Sequence, residues 1–275
     1  MEYSRILAAI SNQKWAIQPE ALENMLDIVM RDNGYIKEAI GIRAQDKERG
    51  ETLEAYTVGS TRVIPIVGPI MRYATWLNEI CGATSYERLG DLFYEAINDP
   101  KVESIVLQFD TPGGMVTGCS EFSKIVRDAR GLKPVVAYVD GDACSAGYWI
   151  ASACDHIVVN TTSTLGSIGV VATIRDFSKQ DEMRGIKTYE IISTQSPNKR
   201  PNLEKDEGRK VYQEMIDTTA DAFIDTVAEN RNMSREDVIK KFNGGGMFVG
   251  RKAVSIGMAD EIGTLAEVIE TLNKK

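Results

Sequence analysis

The sequence predicts an α/β protein whose central sheet is mainly parallel. Apolar runs rich in β-branched residues alternate with helical patterns along most of the chain. Two of these runs, Ser104–Phe109 and Pro134–Val139, are almost entirely apolar, which is typical of strands that helices cover on both faces of a sheet. With 275 residues, of which 43% are hydrophobic and 26% charged, the chain is long enough to bury a sizeable core.

The first 56 residues predict a helical N-terminal extension in front of an α/β domain of residues 57–275. Two helices are expected in it, and the second begins around Ile17-Gln18-Pro19-Glu20, because proline favours the first turn of a helix. Leu22, Met25 and Leu26 fall on one side of that helix. The charge-rich stretch Arg43–Glu54 predicts a linker.

The domain itself predicts strands and helices in alternation, followed by C-terminal helices. The expected strands are Arg62–Val67, Ser104–Phe109, Pro134–Val139 and His156–Val159, and the expected helices are Tyr86–Ile97, Gly118–Arg130 and Ser145–Ala153. A further strand pair is expected at Ile168–Ile174 and Thr188–Ser193, before a long helix over Asp206–Asn230.

Composition and charge exclude several classes of function. The 32 Lys and Arg residues against 40 Asp and Glu residues give a net charge of −8, which is the wrong sign for a protein that binds nucleic acid over a broad face. The sequence contains no HExxH, Walker loop or metal-ligand cluster, so no metal and no cofactor is expected.

The cysteines and the polarity of the chain indicate where the protein works. The four cysteines, Cys81, Cys119, Cys144 and Cys154, form no CxxC pair, which favours free, mostly buried thiols in a reducing compartment. The sequence begins without a secretory h-region, and the longest uncharged run, His156–Ile174, is too polar to cross a bilayer. A cytoplasmic protein without a membrane anchor is therefore expected.

A glycine pair marks the end of one predicted strand. Asp110-Thr111-Pro112-Gly113-Gly114 directly follows the strand SIVLQF. Gly113 and Gly114 permit a positive φ and leave N–H groups unshielded at the carboxyl edge of the sheet, where ligands of α/β proteins usually bind. The turn is a candidate oxyanion hole, and the alternative is an ordinary tight connection between a strand and a helix.

A serine marks the end of the next strand. Ser145 lies among small residues at the start of a predicted helix, so its hydroxyl could face a substrate while the N–H of Ala146 and the helix dipole face developing negative charge. The alternative role for Ser145 is a helix N-cap.

A nucleophilic serine needs a base, and the chain has a single histidine, His156. His156 lies at the far end of the helix that Ser145 opens, about 15 Å away at 1.5 Å per residue, so a serine–histidine relay is excluded. A lysine remains, and Lys199 in the loop Ser196–Pro201 is the candidate, with a solvated surface role as the alternative. Ser167 is a third hydroxyl that could position the amine, or a turn hydroxyl.

Taken together, these motifs resemble the signal peptide peptidase A (protease IV) family of serine peptidases. The matching series, in chain order, is VIPIVGPI, SYERL, FDTPGG, ACSAGYWIAS, TLGSIGVV, SPNKR and GRKAVSIGMADEIG. It spans about residues 62–263. The resemblance implies a ClpP/crotonase-like fold and a Ser-Lys dyad.

The resemblance also implies roles for individual residues. Ser145 matches the nucleophile, Lys199 the general base and Ser167 the hydroxyl that orients the lysine. Gly113 and Gly114, together with the N–H of Ala146, match the oxyanion hole. The sequence departs from the family at the base, because the family's lysine follows S-G-x-x whereas Lys199 follows a longer loop with a proline. Lys205 is the alternative lysine.

The N-terminal segment NQKWAIQPEALENMLDIV and the segment GSIGVVATIRDFS resemble the phage and prophage head proteases of this family. The resemblance implies a homo-oligomeric protease, in the host cytoplasm or inside the prohead, that cleaves scaffold, a minor capsid protein or itself during capsid maturation. Two other classes stay open. One is an inactive capsid-assembly module that binds scaffold, and the other is a crotonase-type enzyme that acts on coenzyme A thioesters.

Overall fold

The computed structural model describes residues 13–30, 54–73, 83–174 and 176–274. The predicted linker Arg43–Glu54, apart from Glu54, and most of the first predicted N-terminal helix lie outside these residues, as does Cys81. In the part of the chain that is described, no helix is both long and apolar enough to span a bilayer.

An eight-stranded sheet forms the centre of the molecule. Its strands are β2 (Tyr56–Val58), β3 (Thr61–Val67), β6 (Ser104–Thr111), β8 (Val135–Cys144), β9 (His156–Val159), β10 (Thr164–Gly166), β11 (Met247–Val249) and β12 (Glu261–Ile262). Strands β3, β6, β8 and β9 are parallel, and β8 is long enough to pair with β9 along its first half and with β10 along its second. The prediction of an α/β protein with a mainly parallel sheet is confirmed.

A second sheet of four short strands lies at the carboxyl end of β6. Its order is β1 (Trp15–Ile17), β7 (Gly113–Met115), β4 (Ile70–Met71) and β5 (Thr84–Ser85). Strand β7 follows β6 after a single residue, Pro112, so the glycine pair belongs to a strand and not to a turn that leads directly into a helix.

Nine α-helices complete the described part of the chain. They are α1 (Pro19–Met30), α2 (Tyr86–Asn98), α3 (Cys119–Asp128), α4 (Ala146–Ser152), α5 (Ser178–Met183), α6 (Asp206–Asn230), α7 (Arg235–Lys241), α8 (Arg251–Ser255) and α9 (Leu265–Asn273). The predicted helices that begin near Pro19, Tyr86, Gly118, Ser145 and Asp206 are confirmed.

The central sheet is buried on both faces, as its apolar strands require. On one face, side chains of α2, α3, α4 and α6 pack with Ile105 and Leu107 of β6 in the main core. On the other face, Val268 and Leu272 of α9 pack on Val106. The two faces alternate along β6 because successive side chains of a strand point in opposite directions. The sheet thereby fixes the carboxyl ends of β6 and β8, where the candidate site lies.

The structure differs from two of the expectations. Thr188–Ser193 is not a strand, and in the predicted partner Ile168–Ile174 only Val171 forms a bridge, to Trp15. A strand needs a backbone partner, and at Val171 that position is taken by Trp15. Trp15–Ile17 form β1, although the sequence predicted only helices in the N-terminal extension.

Candidate functional site

Ser145 joins the end of β8 to the first residue of α4 in a strained backbone conformation. Its φ of 52° and ψ of −115° lie in a region that non-glycine residues rarely adopt. Two backbone hydrogen bonds hold it there, since its N–H donates to the Gly166 carbonyl (2.7 Å) and its carbonyl accepts from the N–H of Trp149 (2.9 Å). The residue is only 1% exposed.

The side chain of Ser145 is not used as a helix cap. It makes no hydrogen bond to the first turn of α4, which argues against the N-cap alternative. Its Oγ has one hydrogen-bond partner among the described residues, the carbonyl of Gly169 at 3.5 Å, the outer limit of a hydrogen bond. The hydroxyl is therefore only weakly held.

The glycine pair lies beside Ser145 because β6 and β8 are neighbours. Thr111 at the end of β6 pairs with Ala143, two residues before Ser145. Gly113 has a φ of 111°, and a Cβ there would overlap the Ala16 carbonyl oxygen and lie 3.0 Å from the Cys144 carbonyl oxygen. A Cβ at Gly114 would overlap the carbonyl of Ile70. Only glycine fits at either position.

The two glycine N–H groups differ in how they are used. The N–H of Gly113 donates to Thr111 Oγ1 (3.1 Å), and the Thr111 hydroxyl in turn lies 2.6 Å from the Gly68 carbonyl. The N–H of Gly113 is therefore occupied inside its own turn. Ala146 is the first residue of α4, where an N–H has no acceptor within the helix. Of the three N–H groups expected at the oxyanion hole, that of Gly113 is thus the one occupied within its own segment.

Ser167 also lies close to Ser145 through the backbone. It follows Gly166, the residue whose carbonyl accepts the Ser145 N–H. Its own φ is 54°, and its N–H donates to the carbonyl of Gly246 at 3.0 Å. The structure thus brings Ser167, Ser145 and the glycine pair to one edge of the sheet.

Lys199 makes no contact with these residues in the part of the chain that the structure describes. Lys199 ends a short 3-10 helix, Pro197–Lys199, and its side chain is exposed. Among the described residues its Nζ has neither a hydrogen bond nor an ion pair, whereas the neighbouring Arg200 pairs with Glu190. Lys205, the alternative lysine, is exposed at the start of α6.

Sequence reasoning missed the neighbours that complete the site. Residues 15–17 pair with Gly113–Met115, and the carbonyl of Gly169 faces Ser145. The only signal for β1 was the short apolar run before Pro19, which is too short to be told from the start of a helix. Within the described ranges, no group of three or more His, Cys, Asp or Glu side chains could hold a metal ion.

Comparisons with known proteins identify the family. The profile of peptidase family S49 matches residues 127–275, more than half of the chain. The capsid assembly protease C of Escherichia phage lambda is 28% identical over 257 residues, which cover 91% of this chain and 58% of that protein. The head-tail preconnector protein GP5 of Enterobacteria phage P21 is 27% identical over 217 residues, which cover 78% of this chain and 43% of that protein.

A bacterial protein is also similar to this chain. The putative signal peptide peptidase SppA of Enterococcus faecium is 29% identical over 183 residues, which cover 64% of this chain and 52% of that protein. The chain thus spans about half the length of the curated relatives that it matches. The predicted resemblance to signal peptide peptidase A, its phage branch and its ClpP-like fold are confirmed. The chain belongs to peptidase family S49.

Proposed function

We propose that this protein is a serine endopeptidase and that Ser145 is its nucleophile. The observation that carries the proposal is the strained, buried Ser145 at the junction of β8 and α4, with a hydroxyl that caps nothing. A strained backbone destabilises a fold unless the surrounding structure holds it in place, and such strain clusters at functional sites. Here the strained residue is held next to the glycine pair. The proposed peptidase domain is residues 57–275, preceded by the extension of residues 1–56.

The proposed reaction has two steps. The Ser145 Oγ attacks a peptide carbonyl carbon, its proton passes to the neutral amine of Lys199, and the N–H groups of Gly114 and Ala146 stabilise the oxyanion. The Lys199 ammonium then protonates the leaving amine, which leaves an acyl-enzyme on Ser145. Water hydrolyses this ester, with the same amine accepting and returning the proton. Ser167 is proposed to orient the amine.

The Lys199 assignment requires the loop that carries it to approach Ser145. Two facts support such a movement. Residues 182–200 are exposed throughout, so few buried contacts hold this segment in place. Several of its exposed side chains are large and apolar, among them Ile191 at 98% and Tyr189 at 85% exposure. Burying such side chains stabilises a new position of the segment by about 1.5–3 kcal/mol for each one fully buried.

The proposed substrate is a protein of the phage capsid. Support comes from the relatives, one of which is named a capsid assembly protease and another a head-tail preconnector protein. We propose that the chain cleaves scaffold, a minor capsid protein or itself, as a homo-oligomer in the host cytoplasm or the prohead interior. Nucleic acid, membrane anchor, metal and cofactor have no part in this proposal.

Replacing the nucleophile tests the activity. Ser145→Ala should lower the rate of cleavage of casein, or of co-expressed head proteins, by about 10⁴-fold or more, because the hydroxyl that forms the acyl-enzyme is gone. Ser120→Ala is the matched control, since Ser120 is exposed on α3. Full activity of the Ser145→Ala protein, checked for folding by circular dichroism, would refute the proposal.

A second candidate function is an assembly module that binds scaffold without hydrolysing it. The contrast between the exposed Lys199 and the buried Ser145 favours this candidate. A fluorophosphonate reagent separates the two functions, because it modifies a serine only where the hydroxyl is activated. A mass increase of one adduct at Ser145 supports the peptidase, and an unmodified Ser145 supports the module.

A further inference from the structure

The chain's own N-terminal segment lies in a groove beside Ser145. On one side of the segment, the N–H of Gln18 donates to the Pro112 carbonyl (2.9 Å) and the N–H of Val116 to the Lys14 carbonyl (3.1 Å). On the other side, Trp15 exchanges two hydrogen bonds with Val171, of 2.9 and 2.8 Å. Residues 14–18 are thus an extended strand held between two backbone edges.

The register of this strand places a carbonyl at the candidate oxyanion hole. Trp15, Ala16 and Ile17 pair antiparallel with Met115, Gly114 and Gly113. Hydrogen-bonded pairs alternate along an antiparallel ladder, and the bonds of Lys14 and Gln18 to β7 mark the pairs on either side. The pair of Ala16 and Gly114 is therefore also hydrogen-bonded, so the N–H of Gly114 points at the Ala16 carbonyl.

The same register places a small side chain toward the site. Ala16 is 0% exposed and packs in the main core, in the same cluster as Ala143 and Ala146. The neighbouring Trp15 and Ile17 point the other way and pack with residues of α1. The side toward Ser145 accordingly accepts a small residue, and the opposite side accepts large apolar ones.

These contacts are the ones that an extended peptide makes when it adds a strand to a sheet edge. Main-chain hydrogen bonds provide affinity in that mode, and pockets for alternate side chains provide selectivity. Residues 14–18 make both kinds of contact, and Gln18 adds a side-chain contact from its Nε2 to Asp142 Oδ2 at 3.4 Å. A segment tethered this closely has an effective concentration in the millimolar range, which a free peptide must exceed.

We propose that residues 14–18 occupy the peptide groove in cis and that a substrate binds by displacing them. The partner that fits the vacated groove is an extended peptide that runs antiparallel to β7, with a small residue in the place of Ala16 and its carbonyl on the N–H of Gly114. This inference deepens the proposed function and rests on it, because the groove serves catalysis only if Ser145 is the nucleophile. The competing explanation is a permanent structural strand.

Hydrogen–deuterium exchange with a competing peptide distinguishes the two explanations. The full chain with Ser145→Ala would be mixed with a capped synthetic peptide Gln-Lys-Trp-Ala-Ile-Gln, the sequence of residues 13–18. When the peptide binds, the amides of residues 14–18 should exchange faster, while those of Val116 and Val171 stay protected by the incoming strand. Binding of the peptide with no change in residues 14–18 would overturn the proposal.

A charge in the buried position provides a second test. Ala16→Arg places a guanidinium where the side chain is 0% exposed, so it should expel the segment from the groove. The Kd for the same peptide should then fall about tenfold or more. This is the change expected if the groove of the protein with Ala16 is open a tenth of the time or less, because the apparent Kd is the intrinsic Kd divided by the open fraction. Glu23→Arg, an exposed change on α1, is the control and should leave the Kd unchanged.

The outcomes separate failure of this inference from failure of the proposed function. Both tests measure binding in a Ser145→Ala background, so neither depends on hydrolysis. A folded Ala16→Arg protein that binds the peptide no more tightly than the control would overturn the inference. Loss of folding in Ala16→Arg, but not in Glu23→Arg, would identify residues 14–18 as a structural strand and would overturn it as well.

Discussion

At the scale of single residues, the site depends on how Ser145 is held. Its backbone strain costs about 1–3 kcal/mol, which the surrounding structure must offset. The bond from its N–H to Gly166 and the buried helix α4 behind it provide that support. The hydroxyl itself has only a weak contact with Gly169. The backbone of Ser145 is thus fixed while its side chain is left available.

At this scale we predict that Lys199, and not Lys205, is the general base. Lys199→Ala should reduce peptide cleavage by about 10²-fold or more, because removing a general base costs on the order of 10²–10⁴ in rate. Lys205→Ala should have little effect, because the mechanism needs a single base and the proposal assigns that role to Lys199. Initial rates on a fluorogenic peptide, measured for both variants beside the wild type, provide the comparison.

Two results would contradict the prediction about the base. Equal activity of the Lys199→Ala and wild-type proteins would remove Lys199 from the mechanism. Loss of activity in Lys205→Ala alone would move the role of base to Lys205. Thermal unfolding of each variant is the control, because both side chains are exposed and neither change should shift the melting temperature by more than a degree or two.

The sequence predicted the proximity of some residues of the site but not the contacts of others. Ser145, Gly113 and Gly114 each follow a buried strand, and the ends of adjacent parallel strands meet at one edge, so their proximity follows from local pattern. The position of Lys199 depends on an exposed loop whose contacts no periodicity encodes. The contact between Ala16 and Gly114 joins segments about a hundred residues apart, and a three-residue strand carries almost no signal.

At the scale of elements, the long helix α6 anchors the helix that begins after Ser145. Phe223 of α6 stacks on Trp149 of α4, with ring centroids 4.3 Å apart and an angle of 6° between the planes. At the far end of α4, Asn230 Nδ2 donates to Ser152 Oγ at 3.0 Å. These contacts fix α4 along its length, and hence fix the N–H of Ala146 at its start.

The end of α6 is in turn fixed by Arg231. Its guanidinium contacts Asp260 Oδ1 at 2.6 Å and donates twice to the Gly257 carbonyl at 3.1 Å. Asp260 also accepts from the N–H of Ile157 in β9 at 2.7 Å. Burial alone would raise the pKa of Asp260, but the hydrogen bond and charge of Arg231 outweigh it and hold that pKa below its ordinary value of 3.8.

Replacing Arg231 tests whether its contacts with Asp260 and Gly257 stabilise the fold. Arg231→Ala should lower the free energy of unfolding by about 1–3 kcal/mol at pH 7, because it leaves the half-buried Asp260 carboxylate without its cation. The contribution of Asp260 is present above pH 3.8 and is lost as the pH falls through its lowered pKa. The difference between the variant and the wild type should therefore shrink in acid. Urea unfolding at pH 7 and pH 3 measures both effects.

An exposed arginine provides the control for this experiment. Arg235 pairs with Asp221 and with Asp225, and its partners are more than half exposed. Surface pairs of this kind contribute about 0–1 kcal/mol. If Arg231→Ala lowers the free energy of unfolding no more than Arg235→Ala does, the contacts of Arg231 at the end of α6 do not stabilise the fold.

The elements that the sequence predicted correctly are those whose partners are dictated by burial. Strands β3, β6, β8 and β9 are apolar because helices cover both faces, and each was visible as an apolar run. The predicted strand at Thr188–Ser193 has an equally good local pattern, yet all its residues are exposed and it forms no β-ladder with another strand in the described ranges. Local pattern measures the tendency to form a strand but does not supply the partner.

At the scale of the whole molecule, the buried thiols make the free energy of unfolding depend on pH in the alkaline range. Cys119 at the start of α3, Cys144 at the end of β8 and Cys154 shortly after α4 are free and buried. Burial raises the pKa of Cys119 and of Cys144 to about 12, and it raises that of Cys154 as well. In the unfolded chain the ordinary value of 9.0 applies. Between these values the unfolded state releases protons that the folded state keeps.

The free energy of unfolding should therefore fall as the pH rises above about 9. Each buried thiol contributes a slope of up to about 1.4 kcal/mol per pH unit. Cys154→Ala removes one thiol that lies away from Ser145, so this variant should lose stability less steeply with pH than the wild type, by up to that amount. Urea unfolding of both proteins at half-unit steps from pH 8 to 10.5 provides the two slopes. If the free energy of unfolding falls equally steeply with pH in both proteins, the Cys154 thiol has the same pKa in the folded and unfolded chains. That result would contradict the prediction that burial raises its pKa.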